Sequence, residues 1–125
     1  MTIQLVLAAL GGLIIGSAMT FAASAQKTLP AYFIAESVVT DPQADSAVIA
    51  KLPATAQSYG GRYLARGGRI VGFGGEPPRR VVIVAFDSMA QAEGWRADPQ
   101  VKALEEERQR IGTTLRLYAV EGLAQ

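Results

Sequence analysis

This chain predicts an α+β domain built in the order β-α-β-β-α-β, and three observations carry that reading. Four segments rich in β-branched and aromatic residues, Tyr32–Val39, Arg62–Arg66, Arg80–Phe86 and Leu115–Val120, have the length and composition of strands. Between the first two, and again between the last two, lie stretches with helix-start signals and apolar residues at helical spacing. The middle two are joined by Gly67–Arg79, which is rich in glycine and proline and holds no helical period.

The first 25 residues carry no charged side chain, Leu5–Phe21 is apolar, and Ala23-Ser24-Ala25 is the small-x-small pattern of a signal-peptidase site. Residues 1–25 are therefore expected to be a secretory signal cleaved before Gln26, sending the mature protein to the periplasm or the medium. The segment Met1-Thr2-Ile3-Gln4 lacks the usual Lys or Arg, and the apolar run is long enough to stay as an uncleaved anchor, which is the alternative. Gln26–Pro30 reads as a linker, Ala31–Gly122 as the domain and 123–125 as a tail. No membrane contact is expected after cleavage.

Within the domain, Tyr32–Val39 is mainly apolar on both faces, with Glu36 interrupting one of them. Asp41-Pro42 gives an N-cap followed by proline at the first helical position, and Val48, Leu52, Ala56 and Tyr59 continue at helical spacing until Gly60. Pro53 must kink or split that helix, because its ring opposes the carbonyl of Ile49. Strict alternation along Arg62–Arg66 sends Arg62, Leu64 and Arg66 to one face, and Tyr63 and Ala65 to the other. Arg69–Phe73 reads as a continuation of this strand past a glycine bend, and Glu76-Pro77-Pro78 as a loop. Arg80–Phe86 is the clearest strand. Ser88 with Gln91 forms a capping box for the next helix, and Asp98-Pro99 restarts a second segment with Val101, Leu104, Arg108 and Ile111 on one face. Gly112 stops it before the last strand. This order is the ferredoxin-like split βαβ arrangement, with a four-stranded antiparallel sheet.

Composition removes several functions. At 125 residues and net charge +1 there is room for one domain, and no global field draws it to nucleic acid. The chain has no Cys and no His, so thiolate chemistry, the commonest metal ligands and the usual haem ligand are missing. No metal or cofactor is expected. The glycine series Gly67–Gly75 lacks the lysine and hydroxyl of a phosphate loop, and Gly72-Phe73-Gly74 lacks the third glycine of a dinucleotide turn.

Helices can cover only one face of such a sheet, yet the first, third and fourth strands are apolar on both. The open face amounts to roughly 500 Å² of apolar surface, at the upper end of what monomers expose. Covering it contributes on the order of 12 kcal/mol gross per subunit at ~25 cal/mol per Å². A two-fold homodimer is the expected partner state.

Asp41-Pro42, Gly60-Gly61-Arg62, Arg66-Gly67-Gly68, Arg80–Phe86 with Asp87-Ser88, Trp95 and the Pro99…Arg108 helix resemble the family catalogued as domain of unknown function 1330. The resemblance covers roughly Ala31–Gly122 and implies a dimeric α+β barrel of two face-to-face sheets, with no established reaction. The chain departs from that family's pattern at two places. Ala44, Asp45 and Ser46 stand where a tyrosine usually follows the first Asp-Pro, and Asp98-Pro99-Gln100-Val101 replaces a Ser-Pro-x-Tyr motif.

Arg62 and Arg66 are candidate anion ligands, since guanidinium groups grip carboxylate or phosphate bidentately; the alternative is an exposed edge where they pair with acidic residues. Arg69, Arg79 and Arg80 add to the local excess, against Glu76 alone. Arg108 interrupts an apolar helix face and so needs a partner, Glu36 or Asp41, or a polar cavity. Trp95 is either core or the wall of a ligand site, and Tyr32, Tyr63 and Tyr118 each offer a phenol. Glu36 is the candidate proton acceptor should the protein be an enzyme. Three readings stay open: an exported dimer binding a small, anionic organic molecule inside the barrel, through Arg62, Arg66 and Arg108 with Trp95 and Tyr32 as walls; a cofactor-independent enzyme of the monooxygenase or isomerase type on the same fold; and a structural stress-related dimer with a filled core.

Overall fold

The structure, a computed structural model, describes residues 28–124, so the expected signal at 1–25 lies outside the described residues. β1 (Ala31–Val38) is followed by α1 (Pro42–Ile49) and α2 (Leu52–Gln57), then β2 (Arg62–Arg66) and β3 (Arg80–Phe86). α3 (Met89–Ala97), α4 (Pro99–Arg110) and β4 (Thr114–Glu121) complete the domain. The sheet order is β2-β3-β1-β4 with every pair antiparallel, which is the ferredoxin-like topology. Among the described residues no helix is long and apolar enough to cross a membrane.

The helix starts follow from their caps. The Asp41 carboxylate accepts the Ala44 N–H at 3.1 Å, Ser88 Oγ accepts that of Gln91 at 3.2 Å, and Asp98 accepts that of Gln100 at 2.8 Å. Pro53 splits the first helical stretch as expected, standing in the first turn of α2, where an N–H has no partner within the helix. At the end of α2 the chain turns back at Gly60 (φ +77°). Next to it, a Cβ on Gly61 would stand 2.8 Å from the Phe86 ring and 2.9 Å from the Ala56 carbonyl, so only glycine lets β2 leave α2 this closely.

Phe33, Ala35, Val84 and Phe86 on the inner sheet face meet Val48, Leu52, Ala56, Trp95, Val101 and Leu104 from the helices. Trp95 is the centre of this layer. Its ring meets Phe33 edge-on at 4.9 Å, and its Nε1–H donates to Thr55 Oγ1 at 3.0 Å. The outer face carries Tyr32, Ile34, Val81, Ile83, Tyr118 and Val120, with no helix over it among the described residues.

Two expectations are corrected. Arg69–Phe73 is not a strand: residues 67–79 form one irregular arm, whose five glycines at 67, 68, 72, 74 and 75 favour no extended pairing. Strict alternation also fails along β2. Arg62 pairs with Ala85 and Tyr63 with Val84, but Ala65 pairs with Ile83 and Arg66 with Val82, so the ladder passes over Leu64 as a bulge. That one extra residue turns Arg66 to the face of Tyr63 and leaves Arg62 on the other.

Candidate functional site

Between the helices and the inner face of the sheet lies a half-open cavity of about 290 Å³. Its floor is Phe33, Ala35, Val82 and Leu117; Ile49, Leu52 and Trp95 close it from the helices. Tyr63, Arg66, Arg80, Glu105 and Arg108 supply the polar lining. The expected site, by contrast, lay between two sheets, on the other face.

Each polar group is there for a local reason. The β2 bulge aims both Tyr63 and Arg66 inward. Arg80 begins β3 opposite Ser37, two residues before Val82, which pairs with Arg66. Arg66 and Arg80 are thus diagonal cross-strand neighbours, a spacing of about 7–8 Å. Arg108 falls one turn after Leu104 on the buried stripe of α4.

Arg108 is paired, but with neither Glu36 nor Asp41. Its Nε and Nη2 donate to the two carboxylate oxygens of Asp45 at 2.7 and 3.1 Å, and Thr113 Oγ1 donates to the same carboxylate at 2.8 Å. Burial by itself would raise the Asp45 carboxyl; the hydrogen bonds from Arg108 and Thr113, with the charges of Arg108 and Arg80, outweigh it and hold the group below its ordinary value of 3.8. Asp41 instead faces solvent as the α1 cap, and the sheet puts Glu36 on the outer face.

Among the described residues, Arg66 and Arg80 have no carboxylate partner. Burial, then the charge of Arg108, weaken the hold of Arg80 on its proton, with Asp45 acting the other way. Arg66 stands over the Tyr63 ring at 5.8 Å. Burial raises the Tyr63 phenol above 10.0 despite the pull of Arg66, Arg108 and Arg80, so near neutral pH it is a hydrogen-bond donor. Glu105 is held by Arg96, whose guanidinium also lies over the Phe33 and Trp95 rings.

The sequence candidates thus divide. Arg66, Arg108, Trp95 and Tyr63 meet at the cavity. Arg62 does not: it faces solvent beside Asp87 at 3.5 Å, an exposed pair of small energetic worth. Tyr32 and Glu36 stand on the outer face, where the Tyr118 hydroxyl donates to Glu36 at 2.6 Å. Sequence reasoning counted Arg80 only within a local excess and missed Asp45. The clue to Asp45 was its place one turn into a capped helix, three residues before the core residue Val48.

The family model described as "Domain of unknown function (DUF1330)" matches residues 30–123. Among solved structures, the methylated RPA0582 protein is 16% identical at a TM-score of 0.57, over 86% of this chain and 91% of that one. RPA0582 of Rhodopseudomonas palustris, described as a protein of unknown function, is 15% identical at a TM-score of 0.51, over 87% and 94%. SnoaB, a cofactor-independent oxygenase from Streptomyces nogalater, is 12% identical at 0.57, over 78% and 97%. At these identities the likeness is one of fold. No curated protein matches the chain.

Proposed function

The chain belongs to the DUF1330 family, and from that premise we propose that it binds a small organic anion in the cavity between helices and sheet. The observation that supports this is the pair of guanidinium groups, Arg66 and Arg80, without carboxylate partners among the described residues and lining a hollow whose floor and helix side are apolar. Arg80 is half-buried, where charge is ordinarily compensated, and Arg66 is exposed at the mouth of the hollow. Three arginines share the single Asp45, whose oxygens already accept from Arg108 and Thr113. An anion supplies the missing acceptors, the Tyr63 phenol adds a donor, and Phe33 and Trp95 hold an apolar body.

The reading includes a second copy over the outer face, supported by Ile34, Val81, Ile83, Tyr118 and Val120 there, and export by the apolar leader at residues 1–25. A cavity of about 290 Å³ speaks against the filled-core alternative. The enzymatic alternative has the fold shared with SnoaB in its favour, and the Tyr63 phenol inside the cavity. It moves the proton-transfer role away from Glu36, which stands on the outer face.

The test is a thermal-shift and Trp95-fluorescence screen against small carboxylates, phosphates and quinones. Anions should raise the melting temperature and perturb the one tryptophan of the chain. Arg66→Met with Arg80→Met should abolish both effects, and Arg62→Met should leave them intact. Equal responses in the double variant would overturn the reading. Oxygen uptake in the presence of any compound that binds separates the enzymatic alternative.

A further inference from the structure

We propose that the cavity selects a doubly charged oxyanion head of the phosphate-monoester kind, carried on a compact apolar body; this rests on the anion-binding reading above. The charges facing the hollow carry the argument. Arg108 from α4 is neutralised by Asp45 from α1, and Glu105 from α4 by Arg96 from α3. Arg66 from β2 and Arg80 from β3 remain, a local charge of +2. A monoanion seated on the half-buried Arg80 leaves Arg66, exposed at the mouth, as a second cation with no counter-charge.

Geometry points the same way. The two arginines stand diagonally across β2 and β3, about 7–8 Å apart at the backbone, so a shared partner must offer acceptor oxygens in two directions at once. A tetrahedral oxyanion presents three, and each planar guanidinium can take a pair of them. The crowding already bears on Arg80, where burial and then the neighbouring Arg108 work against its charge, and Arg66 adds to it. A second negative charge on the ligand relieves all of these. At about 290 Å³ the hollow lies at the small end of ligand sites, so once the head is seated only a compact body fits against Phe33 and Trp95.

Phenyl phosphate and phenyl sulfate make the test, titrated into the full-length protein by calorimetry from pH 5 to pH 7.5. They share shape, but the second phosphate ionisation lies near 6, whereas the sulfate stays singly charged. Affinity for the phosphate should rise about tenfold over that range while affinity for the sulfate stays flat, and Arg66→Met should flatten the phosphate curve. Equal, parallel binding of the two overturns the dianion inference and leaves the anion site standing. So does binding of carboxylates with neither aryl compound bound. If none of these anions binds, the site reading falls with it.

Discussion

Replacing Asp45 by Asn tests the internal charge arithmetic of the cavity. The Asp45 and Arg108 side chains are only 2% and 6% exposed, and the carboxylate accepts three hydrogen bonds. The amide keeps the volume but turns an NH₂ toward a guanidinium and removes the charge. One-sided removal from a buried pair costs about 3–5 kcal/mol. Because Arg108 also lines the cavity, water can reach it, which favours the lower figure. A loss of ~3 kcal/mol corresponds to a fall in Tm of roughly 12–24 °C for a domain of this size. Arg108→Met in the same chain replaces the stranded cation with an apolar stem, so the double variant should be more stable than Asp45→Asn alone.

Urea unfolding at fixed protein concentration measures both, since self-association would otherwise shift the apparent stability. The double-mutant cycle should give a coupling of at least about 2 kcal/mol. Acid supplies an independent readout. The Asp45 carboxyl sits below its ordinary 3.8 in the folded state, so its contribution is complete above that pH and disappears as pH falls toward the folded value. Asp45→Asn should lack that part of the acid-induced loss. Freed of its partner, Arg108 adds a third uncompensated charge, so anion affinity should rise while stability falls. A cost under about 1 kcal/mol, or an additive cycle, would refute the reasoning.

Other expectations are simpler. Gly61→Ala should destabilise by about 1–3 kcal/mol in the same unfolding assay, because the added methyl meets both the Phe86 ring and the Ala56 carbonyl. Tyr63→Phe removes a donor from the cavity without changing its shape and should weaken anion binding by roughly 2–10-fold, read by calorimetry. Ile83→Lys places a charge in the middle of the outer sheet face; if the proposed dimer forms through that face, the variant should sediment as a soluble monomer and the unaltered chain as a dimer.

What the sequence made legible follows from which signals are local. The helix starts at Asp41-Pro42 and Asp98-Pro99, the split at Pro53 and the turn at Gly60 are each decided within a few residues, and each is where the residue pattern put it. The partner of Arg108 is not local: Asp45 lies 63 positions away, and choosing it over Asp41 and Glu36 needs the crossing of α1 with α4. Tyr59 likewise reads as an apolar residue of the helix face, but its hydroxyl donates to Asp98 at 2.7 Å, tying the end of α2 to the cap of α4.

Leu64 is where the sequence pattern and the structure part furthest, in a strand five residues long. Period two holds only while every residue takes a rung of the ladder, and a bulge cancels it for everything downstream. Leu64 is 57% exposed, so the skipped rung leaves an apolar side chain in solvent, and Arg66, two residues on, gains the inner face. A leucine flanked by Tyr63 and Ala65 announces nothing of this. Arg62 and Arg66 look equivalent on paper, and one skipped rung makes the first a solvent-facing partner of Asp87 and the second part of the lining of the cavity. Deleting Leu64 removes the skipped rung but keeps Tyr63 opposite Val84 and Arg66 opposite Val82, so Arg66 should stay on the inner face and anion binding should persist in calorimetry; loss of binding with the sheet intact would show that the bulge itself shapes the site.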